Sequence, residues 1–116
     1  MKNLSDLRIY ILSVEVSEMI WGIIDGWKSF AKWTVGKQIV ESAGSISSNI
    51  IEGYYRYSKA DQRKFMQYAF ASAKETELWL WKAKNRKLIK QKDYDLIKGK
   101  MENLLPQILN YIKNLK

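Results

Sequence analysis

Across residues 38–57 the apolar and polar positions separate into two neighbouring stripes. On a 3.6-residue period Ile39, Ala43, Ile46, Ile50, Gly53 and Tyr57 share one face, while Gln38, Ser42, Ser45, Asn49, Glu52 and Arg56 run beside it. A helix edge that met only water would carry mostly long charged side chains. This edge is mostly small hydroxyls and amides, which predicts that it faces protein.

Helical periodicity recurs in three further segments. From about Asp6 to Phe30, Leu12, Val16, Ile20, Ile23, Trp27 and Phe30 form a bundle seam. The second segment, which carries the two stripes, is predicted from about Val35 to Arg56, with Thr34 as its N-cap. The third starts after Ser58, which with Asp61 approximates a capping box, and shows Phe65, Ala69, Ser72, Thr76, Leu80 and Ala83 on one face. Its middle, Ala69, Ser72, Ala73 and Thr76, is narrow enough for the small edge of the second segment to dock closely. The fourth, from about Lys92 to Leu115, has the face Tyr94, Ile97, Met101, Leu104, Ile108, Ile112 and Leu115, with Asp93 and Asp95 suiting its positive end. Pro106 breaks the backbone ladder there, but the apolar period resumes beyond it, so one bent helix is expected. Short connections favour antiparallel neighbours. The predicted fold is all-α, a single domain over residues 1–116 built as an up-down-up-down four-helix bundle.

Two of these segments carry more apolar surface than one seam needs. Tyr10, Val14, Trp21 and Ile24 add a second stripe to the first, and Met66, Phe70 and Trp81 add one to the third, where Leu78-Trp79-Leu80-Trp81 is apolar around nearly a whole turn. Such a surface predicts self-association, with Trp21, Ile24, Met66, Phe70, Trp79 and Trp81 at the interface between copies. Gly22 and Gly26 form a Gly-x-x-x-Gly pair, which in a water-facing helix implies only that another backbone comes near.

Charge changes the picture at one end of the chain. Residues 1–81 hold 10 Lys and Arg against 9 Asp and Glu, whereas residues 82–116 hold 10 against 3. The densest run, Lys82, Lys84, Arg86, Lys87, Lys90 and Lys92, contains no acidic residue and is a candidate nucleic-acid contact. Basic residues also favour helix C-termini electrostatically, so the run has a purely structural reading as well.

Catalytic chemistry finds few residues to use. With no histidine and no cysteine, the usual general base, the Glu-x-x-His metal pair and thiolate sites are all missing, and no phosphate loop or nucleophile elbow occurs. Glu52 and Glu75 are the remaining acid–base candidates. Their favoured reading is structural, in a hydrogen-bonded network of Ser45, Asn49, Glu52, Arg56, Ser72 and Glu75 between the second and third segments. No cofactor is expected. No membrane-length apolar run or signal-peptide pattern is present, which points to a cytoplasmic protein.

The central motif, Gly36-Lys37-Gln38-Ile39-Val40 followed by Ser45-Ile46-x-x-Asn49-Ile50-x-Glu52-Gly53-x-x-Arg56, resembles the signature of a bacterial family of four-helix bundles. That family was first noticed as reading frames in intervening sequences of large-subunit ribosomal RNA genes. The likeness extends to Ser17-Glu18-Met19-Ile20-Trp21, Trp27, Phe30, Lys32 and Thr34, and to Phe65, Ala69, Ser72, Glu75-Thr76, Ala83 and Arg86-Lys87-Leu88-Ile89. The chain departs from the pattern with Glu41-Ser42, where a basic residue and alanine are common, and with Ile51, where alanine is usual. Relatives of this family, the accessory variability proteins of diversity-generating retroelements, form homopentameric barrels, bind nucleic acid and associate with a reverse transcriptase. The resemblance therefore implies a homopentamer, a nucleic-acid ligand and possible service to a reverse transcriptase, with no contact carried over to Glu41. The leading expectation is a non-enzymatic oligomeric scaffold that binds RNA or DNA. The alternative is a protein-interaction module whose charge serves only solubility.

Overall fold

A computed structural model describes Leu4 and residues 7–115. Four rods follow one another: α1 (Arg8–Ile24); a second rod made of α2 (Ser29–Ala31), a π-helical turn (Lys32–Gly36) and α3 (Lys37–Tyr54); α4 (Lys59–Asn85); and α5 (Gln91–Asn114). Each rod packs against the next, and α1 closes the ring against α5. Among the described residues there is no strand, and the bundle measures 44 × 23 × 22 Å. The start of the first helix expected at Asp6 lies outside the described residues.

The core follows the predicted period. Val16, Ile20, Ile39, Ala43, Ile46, Ile50, Ala69, Ala73, Ile97, Met101, Leu104 and Ile108 are all sealed from solvent. At its start α4 is capped as expected, with the Asp61 N–H donating to Ser58 Oγ at 3.0 Å. α5 runs unbroken through Pro106, whose exposed position lets water serve the carbonyl that loses its partner.

Closest of all is the approach of α3 to α4, where small residues face each other as predicted. Thr76 Oγ1 donates to Ser42 Oγ at 3.0 Å between two buried side chains, and Ala43, Ala69 and Ala73 leave no bulk to hold the helices apart. Further down, a Cβ on Gly53 would lie 3.1 Å from the Gln62 carbonyl oxygen and 3.1 Å from Phe65 Cβ. A second small-hydroxyl contact, Ser47 Oγ to Ser13 Oγ at 3.0 Å, ties α3 to α1, and Lys100 of α5 pairs with Glu15 of α1.

Several expectations are corrected. The first helix stops at Ile24, because the chain turns at Asp25-Gly26 and Lys28 is extended. Phe30 therefore leaves the first seam and opens the second rod, 84% exposed. Thr34 is no N-cap. Its Oγ1 looks back to the Phe30 carbonyl at 2.6 Å instead of forward to a free N–H, inside the turn where the π register loosens the ladder. In α4 Ala69, Thr76, Leu80 and Ala83 are buried as expected, but Met66 and Ala73 complete the buried edge in place of Phe65 and Ser72, with Phe65 at the rim under the Arg56 guanidinium, 4.5 Å from the ring centre. Tyr57 lies beyond the end of α3 and is fully exposed. Gly22 has nothing near it and Gly26 only its own Ile23 carbonyl, so the close-approach glycines are Gly36 and Gly53.

Glycine substitutions separate propensity from packing. Gly44 sits in α3 with open space around it, so Gly44→Ala is expected to stabilise the fold by up to about 1 kcal/mol. Gly53→Ala gains the same propensity but pushes a methyl against backbone, and a net loss of about 1–2 kcal/mol is expected. Urea denaturation of the two variants against wild type checks both signs.

Candidate nucleic-acid interface

The predicted basic residues gather at the end of the bundle where α4 turns into α5. Lys82 and Lys84 lie in the last turn of α4, Arg86 is its C-cap, Lys87 follows, Lys90 is the N-cap residue of α5 and Lys92 lies in its first turn. Among the described residues none of the six takes part in an ion pair. Two instead rest on aromatic faces: Lys82 Nζ is 4.5 Å from the Trp79 ring centre and Lys84 Nζ 4.9 Å from that of Tyr94.

Helix electrostatics divides the cluster in two. Lys82, Lys84 and Arg86 sit at the negative end of α4, where positive charge assists the helix. The other three work against the fold. Lys87 has φ 59°, the left-handed region that suits glycine, and it occupies the position where a helix-terminating turn usually carries one. That turn is complete, with Leu88 N–H donating to the Ala83 carbonyl at 2.9 Å and Lys87 N–H to that of Lys84 at 3.0 Å. Lys90 stands at an N-cap and makes no side-chain cap bond, and with Lys92 it adds positive charge to the positive end of α5. Only Asp93, in the same first turn, opposes them.

Beside this end an open groove of about 530 Å³ runs between the start of the second rod and the last turns of α4, lined by Phe30, Thr34, Gln38, Trp79, Lys82 and Arg86 among others. On the other flank of the second rod, Trp21, Ile24, Trp33 and Val40 line a smaller apolar notch of about 280 Å³. Trp33 is 70% exposed there and Trp21 60%. Periodicity did not single out Trp33, because the second segment was expected to begin only near Val35, whereas the second rod starts at Ser29.

Within a single chain the expected polar network does not form. Ser45 Oγ donates to the Glu41 carbonyl, and Asn49 Nδ2 to that of Ser45, both within their own helix. Glu52 pairs with Arg56 at 2.7 Å near the far end of the bundle, Ser72 only lends its carbonyl to Thr76, and Glu75 is exposed. Since Glu75 neighbours Thr76, at the level of Ser42, Glu52 stands about 15 Å further along the axis. The two carboxylates are not brought together. The hydroxyl pairs Ser42–Thr76 and Ser13–Ser47 make the inter-helix contacts instead, since short side chains reach across where backbones are close.

The expected interface residues also divide. Ile24 and Met66 are buried in the core, Phe70 and Trp79 are half-buried against it, and Trp21 and Trp81 are exposed. The stripe on α1 closes inward at Ile24 because Gly36 admits it, with Ile24 Cγ2 2.9 Å from where a Cβ on Gly36 would stand.

Comparison with known proteins places this architecture. The model of the 23S rRNA-intervening sequence protein family matches residues 5–110. The chain belongs to that family. A similar solved structure is that of a protein of unknown function from the S23 ribosomal protein family of Bacteroides thetaiotaomicron. It is 26% identical, superposes with a TM-score of 0.83, and the match covers 91% of this chain and 99% of that one. No curated protein matches the chain. Among the described residues no helix is long and apolar enough to cross a membrane.

Relieving the backbone at the turn gives a direct test of its cost. Lys87→Gly is expected to raise stability by about 0.5–1 kcal/mol, read as a higher denaturation midpoint at unchanged slope.

Proposed function

We propose that this member of the 23S rRNA-intervening sequence protein family is a non-enzymatic oligomeric scaffold that binds nucleic acid through the α4–α5 end. One observation carries the reading. Lys87, Lys90 and Lys92 occupy positions where their type lowers the stability of the fold, in a cluster free of ion pairs among the described residues. Local rules are broken in this way where a surface serves a ligand. Closely spaced cations with no carboxylate partner suit the phosphate backbone, whose recognition is largely independent of sequence.

The exposed apolar flanks support the same reading. Trp21, Trp33, Leu78 and Trp81 remain exposed on the flanks, more apolar surface than a lone bundle of this size usually leaves bare. Covering it with further copies, five by family resemblance, would place several basic ends on one particle and raise avidity without any new contact. A reverse transcriptase is the protein partner that the resemblance makes worth testing first. The notch beside Trp21 and Trp33 favours the second reading, a protein-interaction module, because its lining is almost wholly apolar.

Two measurements test the proposal. Light scattering is expected to give a mass several times 13.7 kDa, and a monomer would remove the scaffold. Titration with a mixed-sequence RNA is expected to show affinity falling steeply and linearly on a log–log plot against salt. Reversing the charge of Lys84, Arg86, Lys87 and Lys90 to Glu should abolish that binding while leaving the mass unchanged. Binding with no salt slope, or unaffected by the reversal, would leave the interaction module as the better reading.

A further inference from the structure

Resting on the nucleic-acid reading above, we infer that the groove between Phe30 and Arg86 takes an unpaired base, so that the ligand is single-stranded. Three features of the groove lead there. Phe30 lines it with 84% of its surface exposed, and Thr34 Oγ1 donates to its backbone carbonyl at 2.6 Å. A bare aromatic face on a charged surface is what a base can stack on, because every base presents a π-face of its own.

Next, the cations stand in the groove itself. Lys82 lies over the Trp79 ring on its wall and Arg86 lines the same wall, so a stacked nucleotide has phosphate partners on its α4 side. None of the lining residues is a carboxylate. Finally, Gln38 adds a carboxamide to the lining, a group that both donates to and accepts from a base edge without selecting one base.

Duplex would use only part of this. Its bases are already stacked on each other, so it meets Lys84, Lys87, Lys90 and Lys92 through phosphate and leaves Phe30 idle. A second copy of the chain is the competing occupant, but cations with no carboxylate among the lining residues suit a ligand that brings phosphate.

The test is a fluorescence anisotropy titration at one salt concentration, with a short oligouridylate, a duplex RNA of equal length, and wild-type, Phe30→Ala and Phe30→Tyr proteins. Wild type is expected to prefer the single strand, and Phe30→Ala to lose about tenfold or more of that affinity with duplex binding unchanged. Phe30→Tyr keeps the ring and should keep the affinity. Equal affinity for both RNAs with Phe30→Ala indifferent overturns the base site and leaves the phosphate-binding end standing. Failure of wild type to bind either RNA removes both readings. A Phe30→Ala variant that changes solution mass while binding the single strand normally assigns the groove to a second copy and also overturns the inference. Since Phe30 is bare of core contacts, the variant should fold, and circular dichroism confirms it.

Discussion

How near α3 can come to α4 sets the terms for the rest of this molecule. Gly53, Ala43, Ser42, Ala69, Ala73 and Thr76 remove bulk from both facing edges, and the buried Ser42–Thr76 hydroxyl pair fills the space that remains. A narrow seam buries little apolar area per residue. The large side chains that would normally supply it must lie elsewhere: Ile20, Ile97, Met101 and Ile108 fill the side of the core towards α1 and α5, while Phe70, Trp79 and Trp81 lie along the flanks of α4. The same close pairing therefore accounts for the tight core and for the aromatic surface outside it.

Local helix preferences are set aside at the α4–α5 end. Its helix-terminating turn makes both of the expected backbone bonds, yet holds lysine where glycine would fit, and the next helix begins under two lysines. Each costs on the order of a few tenths to 1 kcal/mol, tolerable in a bundle with a core contributed by all four rods. At the other end of the bundle local preferences agree: Ser58 caps α4, Arg56 pairs with Glu52 and stacks on Phe65, and Gln62 Nε2 donates to the Arg56 carbonyl.

Periodicity revealed the four rods, the α5 face, the α4 cap and the α3–α4 docking edge, because each rests on spacing within one helix. What it missed depends on events between helices or on a change of register. Phe30 was assigned to the first seam because its spacing from Trp27 is helical, and only the turn at Asp25-Gly26 moves it. Ile24 and Met66 read as second stripes, but Gly36 and Gly53 let neighbouring rods close over them. The polar edge of α3, expected to face protein, does so fully only at Ser42: Asn49 and Ser45 turn to their own backbone, Glu52 and Arg56 are exposed, and the inter-helix bonds fall to Ser42 and to Ser47 beside the edge. The six cations were visible as a run in sequence. Their division into three that favour helix ends and three that oppose them needed the backbone.

The π turn at Lys32–Gly36 has a consequence for how such proteins diverge. A wider turn holds roughly one residue more than an α turn, and each α residue turns the helix by about 100°. Everything upstream of Gly36 is thus out of phase with α3, like a screw thread that skips. Losing a single residue in this short stretch would leave the core of α3 untouched and swing the start of the rod to another compass bearing. A relative could in this way re-aim the aromatic head of the second rod in one genetic step, trading one exposed face for another without rebuilding the bundle.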